Sequence, residues 1–250
     1  MRRIFILIGV LTLIHQYIWY QRTPKVPTDL VAPEKMTVWA NAGGIALTDT
    51  TLLVSLDRLK QAYGARYIHL NLIYSRGEWI ADPVMKTPLT EVTRQFPFLN
   101  YWFTLSGRDT SGLEALAHII RSRELERQIV ISGEDIDLLV QFHQLLPNVP
   151  RIMPAEELER LVSYRKLLLL PFFHTTYDVA LVPLDTTRGM NQFTTKFIRS
   201  LGHLGIPVWA DGVQNLSQIL WLEERQVKSV RMDRVDLALL PRATLFPSVP

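Results

Sequence analysis

The chain has 250 residues, 48% hydrophobic and 20% charged, which is enough apolar material for one large domain of the length that α/β barrels commonly fill. Its formal charge is only +3, and no Lys/Arg cluster with interleaved aromatics occurs, so nucleic acid is set aside as a partner. Cysteine is absent, which excludes disulfides, thiolate metal sites and a cysteine nucleophile.

Arg2 and Arg3 precede an apolar run from Ile4 to Tyr20, interrupted by Thr12, His15 and Gln16. At about 1.5 Å per residue a helix of this run reaches roughly 26 Å, just short of the ~30 Å hydrocarbon core of a bilayer. Tyr17, Trp19 and Tyr20 suit the aromatic belt at the far interface. No small-x-small cleavage pattern follows, so residues 1–21 are expected to be an uncleaved signal anchor, crossing the membrane through residues 4–20. The expected placement is a single-pass membrane protein with an extracytoplasmic domain, periplasmic if bacterial, although Arg22 and Lys25 put positive charge on the second flank as well. Residues 22–36 contain Pro24, Pro27 and Pro33 and read as a linker. A single barrel domain is expected over 37–240, followed by a tail over 241–250.

The domain opens with the apolar run Val38-Trp39-Ala40, the pair Gly43-Gly44 and a polar turn at Thr48–Thr51. Leu52, Leu53, Leu56 and Leu59 then mark the apolar face of a helix, and Tyr67–Leu72 alternate apolar and polar as a strand. Strand, Gly-containing turn, helix and strand make a βαβ unit, with Glu78–Asp82 as a further extended piece. Ligand sites in such folds gather at the carboxyl ends of the strands, where Asn41, Asp49, His69, Asn71 and Asp82 fall.

The same grammar continues. Pro88 opens a helix over Leu89–Phe96, Asn100–Ser106 alternate as a strand, and Ser111 is expected to cap a helix running to Arg123. Gln128–Ser132 reads as a strand, Gly133-Glu134-Asp135 opens a helix to Leu146, and Pro154 with Glu156 and Glu157 starts another. Val179–Leu184 reads as a buried strand ending at Asp185, Phe193–Leu204 as a helix, and Ile206–Ala210 as the next strand, ended by Asp211. Leu216–Glu224 and Val227–Leu240 complete the series. The fold class predicted is α/β, a (β/α)8-type TIM barrel behind an N-terminal anchor helix.

In order and spacing the chain resembles the glycerophosphodiester phosphodiesterase family of TIM barrels, from about Thr37 to Leu240. The family's His-Arg-Gly reads here Asn41-Ala42-Gly43, and its Pro-Glu-Asn-Thr reads Thr48-Asp49-Thr50-Thr51. Its Glu-x-Asp reads His69-Leu70-Asn71, its His-Asp reads Ala81-Asp82, and its Glu-x-Lys reads Thr104-Leu105-Ser106. Val208-Trp209-Ala210-Asp211 stands at the family's Trp-Thr-Val-Asn run, and Arg231–Asp236 at its closing Thr-Asp-x-Pro-Asp.

The resemblance implies a divalent metal held by carboxylates and two acid-base histidines. Carried onto this chain, the metal positions are Asp49 or Thr50, His69, Asn71 and Thr104, and Asp49 alone supplies a carboxylate. The histidine positions are Asn41 and Ala81, which do not titrate near neutral pH, and the lysine position is Ser106. The expectation is therefore a catalytically inactive, membrane-anchored binding or assembly module of a cell envelope, with no cofactor. Its ligand pocket is expected at Asn41, Asp49, His69, Asn71, Thr104, Trp209 and Asp211, for an envelope protein or a lipid-derived ligand. The alternative is a divergent phosphoric diester hydrolase of glycerophosphodiesters or phospholipid-derived substrates. It would use His69 with Asp49 or Asp82, Ser106 or Ser132 as nucleophile, and Ca²⁺ or Mg²⁺. A lone His on a strand is more simply a packed structural residue, and Asp185 and Asp211 more simply cap loops. His118, His143 and His203 lie on predicted helices, where packing or solvent accounts for them.

Overall fold

A computed structural model describes residues 29–42, 52–82, 86–167, 169–184 and 194–233. In chain order it shows β1 (Thr37–Asn41), α1 (Leu52–Tyr63), β2 (Tyr67–Ser75), β3 (Glu78–Asp82), β4 (Thr87–Pro88), α2 (Leu89–Gln95) and β5 (Asn100–Ser106). Then come α3 (Leu113–Ser122), β6 (Ile129–Gly133), α4 (Ile136–Leu145), α5 (Ala155–Lys166), β7 (Ala180–Pro183), α6 (Thr195–His203), β8 (Val208–Val213), α7 (Leu216–Glu224) and β9 (Ser229–Met232).

The parallel strands close on themselves. β1 lies between β2 and β9, β2 pairs with β5, β5 with β6, β7 with β8, and β8 with β9. The remaining gap is spanned by a two-residue segment in which Arg151 bridges Ile131 and Ile152 bridges Val179, both parallel. The ring of parallel segments with helices returning between them is the predicted (β/α)8-type barrel. β3 and β4 stand outside the ring as an antiparallel extension of β2. At its thinnest point the ring is tied by Arg151, whose backbone N–H donates to Asp178 Oδ2 at 2.8 Å and whose guanidinium donates to the Thr176 carbonyl at 3.0 Å.

Period-two alternation on the strands separates two apolar clusters. Outward residues such as Ile68, Leu70, Phe103, Ile131, Val182 and Val230 pack with the buried helix faces, including Leu52, Leu56 and Leu59 of α1. Inward residues Trp39, Trp102, Val130, Ile152, Val179 and Trp209 fill the lower half of the barrel. Trp39 lies 5.3 Å from Trp209 and 6.2 Å from Trp102, centroid to centroid, so the indoles form one contiguous floor.

Two expectations are corrected here. Residues 22–36 are not a linker throughout, because Leu30 and Val31 are buried beneath this floor and the Val31 carbonyl accepts from Trp209 Nε1 at 2.9 Å. The start of the described chain is thus a plug in the amino-terminal end of the barrel. The cap of α3 is Gly112 and not Ser111. Ser111 N–H is taken by Asp109 Oδ1 at 2.9 Å, while the Gly112 carbonyl accepts from Trp79 Nε1 at 2.7 Å. A Cβ at Gly112 would fall 2.4 Å from the Tyr74 ring, so only glycine lets the β2–β3 extension close over the start of α3.

Among the described residues no helix is long and apolar enough to cross a membrane. The anchor expected over 1–21, the Gly43-Gly44 turn, Asp49 and Asp185 lie outside the described residues, as do residues 234–250.

Candidate functional site

Above the indole floor, the inward positions at the carboxyl ends of the strands turn polar. Asn41 ends β1, His69 lies on β2, Thr104 on β5, Ser132 on β6, Asp211 on β8 and Arg231 on β9, with Asp233 just beyond it. The registers Asn41↔His69 and Thr104↔Ser132 place neighbours side by side across the ring.

These side chains form one hydrogen-bonded chain. Trp102 Nε1 donates to Ser132 Oγ at 2.7 Å, Ser132 Oγ lies 2.7 Å from Thr104 Oγ1, and Thr104 Oγ1 lies 2.8 Å from His69 Nε2. On the other side His69 Nδ1 is 3.3 Å from Asn41 Oδ1, and Asn41 Nδ2 donates to Asp233 Oδ1 at 2.7 Å. The Asp233 carboxylate only accepts, so the Asn41 amide donates to it through Nδ2 and turns its oxygen to the histidine. An amide oxygen facing Nδ1 favours the Nδ1–H tautomer of His69, with Nε2 accepting from Thr104.

Asp211 and Arg231 form a two-point ion pair beside this chain, Nε to Oδ1 at 2.5 Å and Nη2 to Oδ2 at 2.9 Å. The guanidinium carbon stands 5.4 Å over the Trp102 ring, and Nη1 is 3.5 Å from His69 Nδ1. The guanidinium is a fixed cation, so its closeness opposes a second proton on the imidazole. Burial first, and the Arg231 cation second, pull the His69 pKa from 6.5 to about 3. His69 is neutral at physiological pH, with both ring nitrogens engaged, and is a poor general base.

A pH dependence follows. The folded chain takes up this proton only near pH 3, the unfolded chain near pH 6.5. The contribution of neutral His69 to stability is therefore complete above about pH 6.5 and is lost as pH falls toward 3, at up to ~1.4 kcal/mol per pH unit. Urea unfolding at about pH 7.5 and about pH 5 should show the midpoint falling on acidification. His69→Gln, whose amide can accept from Thr104 and donate to Asn41, should fall less steeply; equal slopes in the two proteins would exclude His69 as the source.

Of the expected pocket residues, the structure brings Asn41, His69, Thr104 and Asp211 together. Asn71 is exposed at the mouth, in register with Thr104. Trp209 does not line the mouth: it is two residues before Asp211 on the same inward face and lies one layer lower, buried in the floor. Asp211 is not a loop cap but the inward partner of Arg231. Ala81 is buried in the outer apolar cluster, and Ser106 pairs in register with Ile73 at the end of β5. Asp82 is described by its backbone alone, at the end of β3, and Asp49 falls outside the described residues.

Arg231 and Asp233 escaped the sequence reading as site residues. The available signal was Ser229, Arg231 and Asp233 at alternate positions of the last strand, since a charge on the inward face of a closed barrel requires a partner inside.

Among the described residues no three His, Asp or Glu side chains come together as a metal ion would need. The described residues also do not fit a divalent ion chemically, because a guanidinium already stands against His69, the residue at the resemblance's metal-ligand position. A separate cleft of about 360 Å³ lies at the ends of β5 and β6, lined by Gly107, Arg108 and the acidic groups of Glu134, Asp135, Asp137 and Glu156.

No family model and no curated protein matches the sequence. Solved structures do. A putative glycerophosphoryl diester phosphodiesterase from Agrobacterium tumefaciens superposes with TM-score 0.63 at 11% identity, covering 84% of this chain and 98% of the other. The glycerophosphoryl diester phosphodiesterase domain of a Mycobacterium tuberculosis protein gives 0.62 at 10% identity over 85% and 99% of the two chains. A putative glycerophosphodiester phosphodiesterase from Galdieria sulphuraria gives 0.61 at 12% over 88% and 99%. The barrel, with its ring of parallel strands and its β2 extension, has the fold of the glycerophosphodiester phosphodiesterases.

Proposed function

We propose that this protein is a catalytically silent barrel of the glycerophosphodiester phosphodiesterase type, held in a membrane through residues 4–20 and serving as a binding or assembly module of a cell envelope. The observation that carries the reading is the state of His69. It stands where the resemblance puts a metal-binding carboxylate, yet it is buried, neutral and bonded at both nitrogens. Around it the chemistry of hydrolysis is replaced by fixed hydrogen bonds. Asn41 stands at an acid-base position and is held by Asp233, and Arg231 supplies a cation that Asp211 neutralises. Among the described residues of this layer, one guanidinium stands against the two carboxylates Asp211 and Asp233, so they supply no net positive charge to hold a phosphodiester.

The test is hydrolysis by the full chain in detergent. Glycerophosphocholine and a chromogenic bis-aryl phosphodiester would be offered with and without Ca²⁺ or Mg²⁺, beside His69→Ala. No turnover above buffer is expected in any metal from a folded sample. Metal-dependent turnover that disappears in His69→Ala would overturn the reading and establish a rearranged hydrolase around His69.

A further inference from the structure

The helices that return between parallel strands all run the same way, so their ends collect on two opposite faces of the barrel. Each helix favours acids in its first turn and bases in its last. First-turn acids Glu114, Asp137 and Glu156 therefore stand on the mouth side, where the acidic cleft also lies. The opposite, amino-terminal face collects Lys60 and Lys166 from the last turns of α1 and α5, and exposed Arg66 and Arg127 just before β2 and β6. Glu126 and Glu224 are acids there, while Arg94, Arg121 and Arg165 are further last-turn bases. This face also carries large apolar side chains in the open: Phe98, two residues before β5, is 87% exposed, and Leu167, at the end of α5, is 67% exposed.

The described chain enters at this same face, where Leu30 and Val31 plug the barrel. Between Tyr20 and Asp29 the fully extended chain spans at most ~30 Å. From the entry point, the short tether and the charge of the face, we infer that the amino-terminal face of the barrel rests on an anionic bilayer surface, with Phe98 and Leu167 at the headgroup level. The inference rests on the proposed membrane span at residues 4–20 and goes beyond it in orientation. Its consequence is functional: the polar mouth points away from the anchoring bilayer. Lipid headgroups of that bilayer are then not its ligands, and whatever the mouth binds arrives from the aqueous side.

The native chain has no cysteine, which permits single-site labelling. Full-length Phe98→Cys, Leu167→Cys and, at the mouth, Arg108→Cys would each carry an environment-sensitive fluorophore. Each would be reconstituted into phosphatidylcholine vesicles with or without phosphatidylglycerol, and quenching by headgroup spin-labelled lipid would be read. The labels at 98 and 167 should be quenched several-fold more than the label at 108, and more strongly with phosphatidylglycerol. Lys166→Glu with Arg66→Glu should weaken that quenching while the chain still floats with the vesicles. A chain that floats but is quenched equally at 108, or not at all at 98 and 167, overturns the orientation and leaves the anchor standing. A chain that does not float with either vesicle removes the anchor and the orientation together.

Discussion

Trp102→Ala should be the most damaging single substitution in the barrel interior, lowering stability by ~3–5 kcal/mol. Trp102 is fully buried, edge-on to both Trp39 and Trp209, and 4.7 Å from the His69 ring, so its removal opens a cavity between floor and polar layer. It is also the donor that begins the hydrogen-bonded chain, and without it Ser132 Oγ loses a hydrogen-bond partner. For a domain of this size the loss corresponds to roughly 10 °C in melting temperature. Trp102→Phe separates the two effects. It keeps most of the packing and removes the indole N–H, so a smaller loss of ~1–2 kcal/mol is expected. Thermal unfolding of both variants checks this; a Trp102→Ala protein as stable as the parent would mean the floor is not a packed core.

The second large effect concerns the Asp211–Arg231 pair, whose side chains are only 23% and 25% exposed. Asp211→Ala leaves a partly buried guanidinium facing the neutral His69 with its two-point partner gone, and should cost ~3 kcal/mol. Arg231→Met leaves a carboxylate instead, and it also removes the cation that helps hold the His69 pKa down. Its stability should therefore fall less steeply on acidification than that of the parent. The double variant Asp211→Ala with Arg231→Met should recover part of the loss, giving a coupling of ~1–3 kcal/mol in a double-mutant cycle. Additive losses would mean that the two groups act independently, against the geometry.

Most of the fold was legible in the chain. Apolar alternation in Tyr67–Leu72 and Asn100–Ser106, helical spacing of Leu52, Leu56 and Leu59, and acids at the start of α5 are local signals, and each produced the element expected. The errors came where a neighbour distant in sequence decides the outcome. Ser111 has the right chemistry for a cap, but the ring of Tyr74 demands a glycine next to it. Leu30 and Val31 sit among prolines and look like linker until the open end of a barrel needs filling. For the site, the sequence brought Asn41, His69, Thr104 and Asp211 to the carboxyl ends of strands, yet it placed Trp209 beside them because it registers position along a strand and not depth in a barrel.

By itself the sequence determined that this chain forms alternating strands and helices, that it lacks thiol chemistry, and that Asn41, Ala81 and Ser106 stand where its resemblance marks two histidines and a lysine. Those are properties of residue type and spacing, fixed by periodicity and by what each side chain can donate, accept or ionise. Ring closure alone decided which inward side chains meet. It set Arg231 against Asp211 across neighbouring strands, stacked three indoles beneath them, and engaged both nitrogens of His69 in a bond sequence that starts at an indole and ends at a carboxylate. Such contacts depend on distances between strands far apart in the chain, and no local pattern carries them.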